Sequence, residues 1–195
     1  MLENALREVG HFSVVNRSFY MKEQVDVLFD AEQLNKQASY WAVLIVLASI
    51  GLYYAIWGFK FDITFIALLK FYFFNLLGLV IHEMIHGLGF ILIGKAKLNE
   101  VKFGVIWKAV TPYAHCKVPL GINAYRISLL LPVIITGIIP LILGLAMESL
   151  LTVVVAAFLT TGGIGDWLIF RRLQPFPSHA FVSDHPSEIG CIVEV

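Results

Sequence analysis

Charged residues are scarce in this sequence, and their scarcity argues against most classes of soluble protein. Only 14% of the 195 residues are charged while 58% are hydrophobic, and the mean hydropathy is +0.80. A typical soluble domain has about 25% charged residues. The charges are missing from long blocks rather than thinned evenly along the chain, which is the pattern of an integral membrane protein.

Basic runs, clustered cysteines and a signal peptide are also missing. The net charge is zero and no basic run of the length typical of a nucleic-acid patch occurs, so we expect no nucleic-acid partner. Cys116 and Cys191 are too few for a disulfide framework and too far apart for a cysteine-based zinc site. The first residues lack the apolar core of a signal peptide, so we expect insertion to depend on internal spans.

Four apolar stretches predict transmembrane helices, because a bilayer needs about 20 apolar residues per helix. They cover residues 38–59, 63–93, 127–147 and 150–170. Pro132 and Pro140 predict kinks in the third span. The glycine-rich stretch "TTGGIGD", residues 160–166, interrupts the fourth.

The segments outside these spans are more polar. Residues 94–126 contain six Lys or Arg and alternate in a β-prone manner around "VKFGVIW" and "AHCKV", which predicts a hairpin-like loop. We also expect a short amphipathic helix within residues 16–37 and one or two strands in the tail. The predicted fold class is therefore mainly α: a polytopic membrane protein with about four transmembrane helices, a β-hairpin-like loop between spans two and three, and a short soluble C-terminal tail.

The distribution of Lys and Arg predicts the orientation in the membrane. The N-terminal segment has four of these residues, the first turn one, the middle loop six, the second turn none and the tail two. Cytoplasmic loops carry the excess of positive residues. We therefore expect both termini and the middle loop to lie in the cytoplasm.

The second predicted span carries three ionisable residues in the stretch "GLVIHEMIHGLGF". His82 and His86 are four residues apart, so on a helix they share one face and can bind one metal ion. Glu83 lies about 100° round the helix, where it can reach a metal-activated water and act as a general base. Each ionised group at mid-bilayer costs about 2.5–3.5 kcal/mol, so such residues indicate function.

A catalytic zinc ion needs a third protein ligand and an open position. Asp166 is the one acidic residue within the other three spans, and it lies at nearly the same depth as His82. Its flanking glycines would let two membrane helices approach closely. The sequence leaves other candidates for the third ligand open, namely His115, Cys116 and His185, and Asp166 could instead pair with Arg171 or Arg172.

Several motifs in this order carry a family resemblance that covers the chain from about residue 60 onward. "HEMIHGLGF", "VKFG…TPYAHCKVPL…YRISLLLP", "GGIGD" and "SDHPSEIGC" together resemble a bacterial family of zincin peptidases with a membrane domain of unknown function. More distantly, the chain is similar to the site-two intramembrane metalloproteases. This resemblance implies that His82, His86 and Asp166 are the ligands and Glu83 the base, although "GGIGDW" departs from the N-x-x-P-x-x-x-L-D-G context of site-two enzymes.

We therefore expect an integral membrane zinc metallopeptidase that hydrolyses peptide bonds, with Zn²⁺ on His82, His86 and Asp166 and with Glu83 as general base. The alternative is a non-catalytic membrane protein that binds a metal or a partner and retains a peptidase-like site. A structural zinc would want a fourth ligand, and Glu83 favours the enzyme.

The expected partners are the lipid bilayer and a peptide or membrane-protein substrate, which could add as a β-strand along residues 97–120. The expected location is the bacterial inner membrane. The predicted division is a cytoplasmic segment (1–37), a membrane metallopeptidase-like domain (38–172) and a cytoplasmic tail (173–195). The substrate, the oligomeric state and the native metal are left open.

Overall fold

The computed structural model describes residues 23–59, 64–106, 111–186 and 188–195. These residues form a mainly helical protein with a small amount of β-sheet. In chain order the elements are β1 (Gln24–Leu28), α1 (Ala31–Trp57), α2 (Phe65–Leu92), β2 (Val101–Ile106), β3 (Thr111–Cys116), β4 (Leu120–Gly121), α3 (Ile122–Ala146), α4 (Leu150–Gly162), α5 (Ile164–Leu173), β5 (Phe181–Asp184) and β6 (Gly190–Glu194).

The apolar helices agree with the predicted spans in number. Three of them, α1, α2 and α3, are long and apolar enough to cross a membrane, and α4 with α5 makes a fourth if this bent pair is one span. The bend between α4 and α5 is 42°, at the glycine-rich interruption that the sequence predicts. The mainly helical fold is therefore confirmed, with three or four candidate spans.

Side-chain caps set where several helices begin. Asp30 accepts a hydrogen bond from the backbone N–H of Gln33 at 2.9 Å, so α1 starts at Ala31, seven residues before the predicted boundary. Thr64 caps α2 in the same way, and Ser149 caps α4. A short side chain that accepts from the first turn stabilises a helix typically by about 1 kcal/mol.

The amphipathic helix expected within residues 16–37 is wrong over Gln24–Leu28, which forms β1. Val25 and Val27 are buried and their neighbours are more exposed, which is the alternation of a strand with one face on a core. Residues 16–22 lie outside the described residues, as does the turn expected at 60–62.

The predicted irregularity at Pro132 takes the form of a π-helical turn. Proline has no N–H to donate, and α3 widens immediately after it into a π-helix over Val133–Ile138. Gly163, at the break between α4 and α5, lies against this turn. A Cβ on Gly163 would approach Val133 Cγ2 to 2.2 Å, so the absence of a side chain allows the break to contact α3 directly.

Two antiparallel sheets cover one end of the helices. The hairpin β2–β3 pairs Val101 with Cys116 and continues to Ile106 with Thr111, so the predicted hairpin is confirmed. The second sheet has the strand order β1-β6-β5-β4, which contains the expected tail strands. It also joins the segment before α1, the residue pair before α3 and the tail after α5 into one layer.

The largest buried apolar cluster lies between this second sheet and the helix ends. Eight of its members are at most 1% exposed: Val27, Cys116, Ile122, Leu173, Ala180, Val182, Cys191 and Val193. Arg126 of α3 ties the end of α5 to this layer, because its guanidinium donates to the carbonyl oxygens of Leu173 and Phe176 at 2.6 and 3.0 Å. The predicted domain boundaries at 37/38 and 172/173 stay a prediction. The segments before and after the predicted membrane domain contribute strands to the same sheet, β1 from the first and β5 and β6 from the second.

Candidate metal centre

The two histidines of the H-E-x-x-H motif lie on one buried face of α2. His82 is 4% exposed and His86 is 6% exposed. Helix α3 packs closely on this face, because Gly89 has no side chain to hold it away: a Cβ there would meet Ser128 Oγ at 2.7 Å. The face that the motif predicts is therefore turned inward, against α3 and the start of α5.

Asp166 lies in the first turn of α5 and completes a group of three potential ligands. Its Oδ2 atom is 3.1 Å from His82 Nε2 and 3.4 Å from His86 Nε2. Two ligand atoms bound tetrahedrally to zinc at 2.0–2.1 Å are about 3.3 Å apart. The two separations from Asp166 are close to this value, and all three ligand atoms lie within 4.8 Å of one another, so the group could hold one metal ion.

The hydrogen bonds of His86 determine which ring nitrogen carries its proton. Its Nδ1 atom lies 2.9 Å from the carbonyl oxygen of Ser128, which can only accept a hydrogen bond. Nδ1 of the neutral ring is therefore protonated, and Nε2 presents its lone pair to Asp166. This is the tautomer that a metal-ligating histidine adopts when a carbonyl orients it.

His82 is oriented in the same way by a hydroxyl group. Its Nδ1 atom lies 3.3 Å from Thr136 Oγ1, and that hydroxyl donates to the Pro132 carbonyl oxygen at 2.8 Å. Thr136 therefore accepts from Nδ1, which leaves the Nε2 lone pair toward Asp166. In the neutral form of both rings, three acceptor atoms therefore converge with their lone pairs facing one another, an arrangement that a bound cation stabilises.

The two residues that orient the histidines are not apparent from the sequence. Ser128 contributes a backbone carbonyl, to which residue identity gives no clue. Thr136 lies in the π-helical turn, where the helical register differs from that of a regular α-helix. Such turns occur often at functional sites, and the nearby Pro132 is the one signal that pointed to this region.

Glu83 is held by the hairpin. Its Oε2 atom accepts the backbone N–H of Ala114 at 2.8 Å, which joins α2 to β3. That N–H points away from β2, and so does the backbone nitrogen of Pro112, two residues earlier on the strand. Glu83 therefore lies at the outer edge of β3, with its second carboxylate oxygen outside this hydrogen bond.

An open cleft of about 680 Å³ lies beside these residues. Glu83, His86 and Asp166 form one wall, the strands of the hairpin form a second, and the tail contributes a third through residues 184–186 and 188–190. Burial raises the pKa of the Asp184 carboxyl, and hydrogen bonds from Tyr125 and the Cys116 backbone oppose that shift.

The other candidates for the third ligand have different partners. Nδ1 of His115 lies 3.3 Å from Asp184 Oδ2. The Cys116 thiol is buried and contacts the carbonyl oxygen of Val118 at 3.4 Å, and His185 Nδ1 accepts the backbone N–H of Glu188 at 2.8 Å. Within the described ranges, the group with metal-binding spacing consists of His82, His86 and Asp166.

A protein-family model described as "Putative zincin peptidase" matches residues 75–181. The match covers more than half of the chain and contains Glu83 and all three members of the candidate site. The chain belongs to this family. Membership in the zincin peptidases suggests metallopeptidase activity, and zinc is the metal that the family name implies. No curated protein and no solved structure matches the chain significantly.

Proposed function

We propose that this zincin-family protein is an integral membrane zinc metallopeptidase with His82, His86 and Asp166 as its metal ligands. The observation that carries the proposal is the convergence of two imidazole Nε2 atoms on one oxygen of Asp166, at 3.1 and 3.4 Å. In the neutral form of both rings, Nδ1 carries the proton that is donated to Thr136 or Ser128, and Nε2 presents a lone pair to the carboxylate. A divalent cation bound between these atoms would offset the repulsion among their lone pairs. Mixed His and carboxylate ligation suits zinc.

A zinc ion bound there would polarise a peptide carbonyl and lower the pKa of water. The protein's own contribution begins with Glu83, which takes a proton from the attacking water while the water oxygen bonds to the carbonyl carbon. When the C–N bond breaks, Glu83 returns that proton to the leaving nitrogen. Because Ala114 binds Oε2, the Oε1 atom is the one available to the water.

The cleft supports an extended peptide as the substrate. The outer edge of β3 runs along the cleft beside Glu83, and peptides commonly add to such edges as a further strand. The N–H groups of Ala114 and Cys116 on this edge already donate to Glu83 and Asp184. The edge therefore offers carbonyl oxygens to the peptide's N–H groups.

The outward faces of the long helices support the proposal that the protein is embedded in a membrane. Large apolar side chains on α1 and α2 are exposed, including Leu47 at 63%, Phe73 at 62% and Leu76 at 60%. Exposed apolar surface of this extent is rare on soluble monomers, whereas lipid would cover it. With the distribution of Lys and Arg and the positive-inside rule, we propose that the sheet layer, the cleft and both termini face the cytoplasm and that the membrane is a bacterial inner membrane.

The alternative of a non-catalytic metal-binding protein has less support. A structural zinc site normally has four protein ligands, while the described residues supply a group of three. The carboxylate of Glu83 also lies in the open cleft with His86 and Asp166. A site of three ligands with an adjacent base and an open approach suits catalysis.

The test is metal analysis of the detergent-purified protein together with hydrolysis of a mixture of quenched fluorescent peptides. We expect one zinc per wild-type chain, a loss of zinc in His86→Ala and Asp166→Asn, and retained zinc without hydrolysis in Glu83→Gln. The exposed His179→Gln is the control for purification and histidine loss. Full zinc in Asp166→Asn would refute the ligand set, and hydrolysis by Glu83→Gln would refute the mechanism.

A further inference from the structure

A groove of about 410 Å³ lies on the outer surface of the helices. It is bounded by Trp41 of α1, by Leu130 and Ile138 of α3, and by Thr160 and Trp167 on either side of the break between α4 and α5; we call it the lateral groove. It shares no lining residue with the cleft beside the metal centre. The groove opens outward, since Trp41 and Trp167 are each 50% exposed and Ile138 is 42% exposed.

The lining of the lateral groove suits a hydrocarbon chain. Apart from two indole N–H groups, the one polar side chain among its described lining residues is that of Thr160, whose hydroxyl donates to the Ala156 carbonyl oxygen at 2.8 Å. From Leu130 to Ile138 the helix rises about 12 Å, which is close to half of a hydrocarbon core of about 30 Å. The volume is also within the range of about 300–1,000 Å³ that is typical of small-molecule sites. An acyl chain of one leaflet therefore matches the groove in length and in polarity.

The proposed orientation puts one end of the lateral groove at the cytoplasmic interface. Helices α1 and α3 then leave the cytoplasm while α5 returns to it, so the cytoplasmic end of the groove is at Trp41, Leu130 and Trp167. Two tryptophans thus lie at the same end. Because tryptophan is enriched where the membrane meets water, this end of the groove lies near the level of the lipid head groups.

Two arginines lie one turn beyond this end. Arg171 is exposed and follows Trp167 by four residues on α5, so both side chains lie on one face. Arg126 precedes Leu130 by four residues on α3, and its guanidinium donates to carbonyl oxygens at the end of α5, the closest being that of Leu173 at 2.6 Å. The described partners of Arg126 are uncharged, so they leave its positive charge in place. On α1, α3 and α5 the turn beyond the groove contains no acidic residue. This end of the groove is therefore positively charged.

We propose that the lateral groove binds an acyl chain of an anionic phospholipid of the cytoplasmic leaflet, and that Arg171 contacts the lipid phosphate while Arg126 adds positive charge. The proposal rests on the proposed membrane embedding and orientation, and it goes beyond the peptidase reaction. The acyl chain would pack against Gly163 and Trp167, so it would contact the start of α5, the helix that also carries Asp166.

The head-group contact is tested by native mass spectrometry of the full-length protein in detergent, titrated with phosphatidylglycerol or with phosphatidylcholine of the same acyl chains. We expect the wild type to bind one phosphatidylglycerol more tightly than one phosphatidylcholine. A basic residue near an anionic lipid typically contributes about fivefold in affinity. Arg171→Gln should therefore lose about that factor for phosphatidylglycerol, while Arg171→Lys keeps most of it. Lys95→Gln is the control, because Lys95 is exposed and does not line the groove.

The acyl-chain contact is tested by filling the lateral groove. Ile138→Trp adds bulk at the end away from the arginines, so we expect it to weaken the tight binding of both lipids. Ile139→Trp is the matched control, because Ile139 is the next residue, is 46% exposed and lies outside the groove. Its lipid binding should equal that of the wild type.

Each contrary result has a distinct meaning. Wild-type affinity of Arg171→Gln for phosphatidylglycerol would overturn the head-group contact, and equal lipid binding by the two tryptophan variants would overturn the groove as the site. A wild-type dimer that Ile138→Trp dissociates and Ile139→Trp does not would assign the groove to a second copy of the chain instead. A protein that stays monodisperse without detergent would overturn the membrane embedding and this inference together, whereas a need for detergent isolates a failure to the groove.

Discussion

The backbone N–H of Ala114 donates to Oε2 of Glu83 across 2.8 Å, and this hydrogen bond joins the hairpin to the helix that carries the metal-binding motif. One oxygen of the proposed base is thereby fixed by a strand edge rather than by another side chain. The orientation of Glu83 therefore depends on the backbone of Ala114, a residue whose side chain is a single methyl group.

Replacing Ala114 by proline removes the donor while leaving Glu83 in place. Pro112 already occupies an equivalent outward position on β3, so this edge accepts a proline. We expect kcat to fall by about 10- to 100-fold, below the full effect of losing a general base, with unchanged zinc content. Ala114→Gly keeps the N–H and is the control. Equal kcat in the proline and glycine variants would show that this hydrogen bond does not orient Glu83.

Thr136 should affect zinc affinity although it does not approach the zinc position itself. Thr136→Val removes the hydroxyl that accepts from His82 Nδ1, while Thr136→Ser retains it. Partners of this kind typically change metal affinity by about 10- to 100-fold. We expect competition with a zinc chelator to show weaker binding in the valine variant and near-wild-type binding in the serine variant. Identical dissociation constants would remove Thr136 from the description of the site.

Gly89 should be essential to the contact between α2 and α3. In Gly89→Ala the new methyl would lie 2.7 Å from Ser128 Oγ and 3.1 Å from its Cα, so the helices must separate. Overpacking of this kind typically costs about 1–3 kcal/mol, which should lower the melting temperature in detergent. Gly51→Ala is the matched control, since a Cβ there meets nothing within 4 Å. A melting temperature as high as that of the control would contradict the close contact.

The two cysteines should be unreactive in the folded protein. Both are buried, and burial raises the pKa of Cys116 and raises that of Cys191 from 9.0 to about 12. Because the thiolate is the nucleophile, we expect N-ethylmaleimide at about pH 8 to leave folded protein unmodified and to label both thiols in sodium dodecyl sulfate. Rapid labelling of Cys191 in the folded protein would show that β6 is open to solvent.

The raised pKa of Cys191 should also make the stability of the folded protein depend on pH. A thiol whose pKa is raised by folding stabilises the native state while it is protonated in both states. That contribution is complete below pH 9.0 and is lost as the pH rises toward the folded-state pKa of about 12. The free energy of unfolding of wild type should therefore decline over this range more steeply than that of Cys191→Ala, as urea titrations at several pH values would show.

The features that the sequence predicts correctly depend on local pattern. The length of the apolar stretches is sufficient to locate α1 to α4. The spacing of His82 and His86 could be interpreted because both residues lie on a single helix. Asp166 could be paired with them because an acid within an apolar span is rare. The hairpin could be predicted because β-prone residues alternate with other residues on either side of a short connection.

The features that were missed depend on partners far apart in the chain. Strand β1 pairs Val25 with Val193, and nothing near residue 25 shows that such a partner exists. The contact between His115 and Asp184 likewise joins residues 69 positions apart in the chain, which the fold brings to within 3.3 Å. Sequence reasoning weighed His115 as a zinc ligand because it could assess the chemistry of the residue but not its neighbour.

The pairing of β1 with β6 also bears on how the protein is made. Strand β6 follows every helix in the chain, whereas the motif helix α2 precedes most of them. The tail wall of the cleft, residues 184–186 and 188–190, can form only once β5 and β6 have emerged and docked. During synthesis the chain would thus carry its histidines before the cleft has all its walls, and the last step of assembly would also be the step that completes the proposed active site.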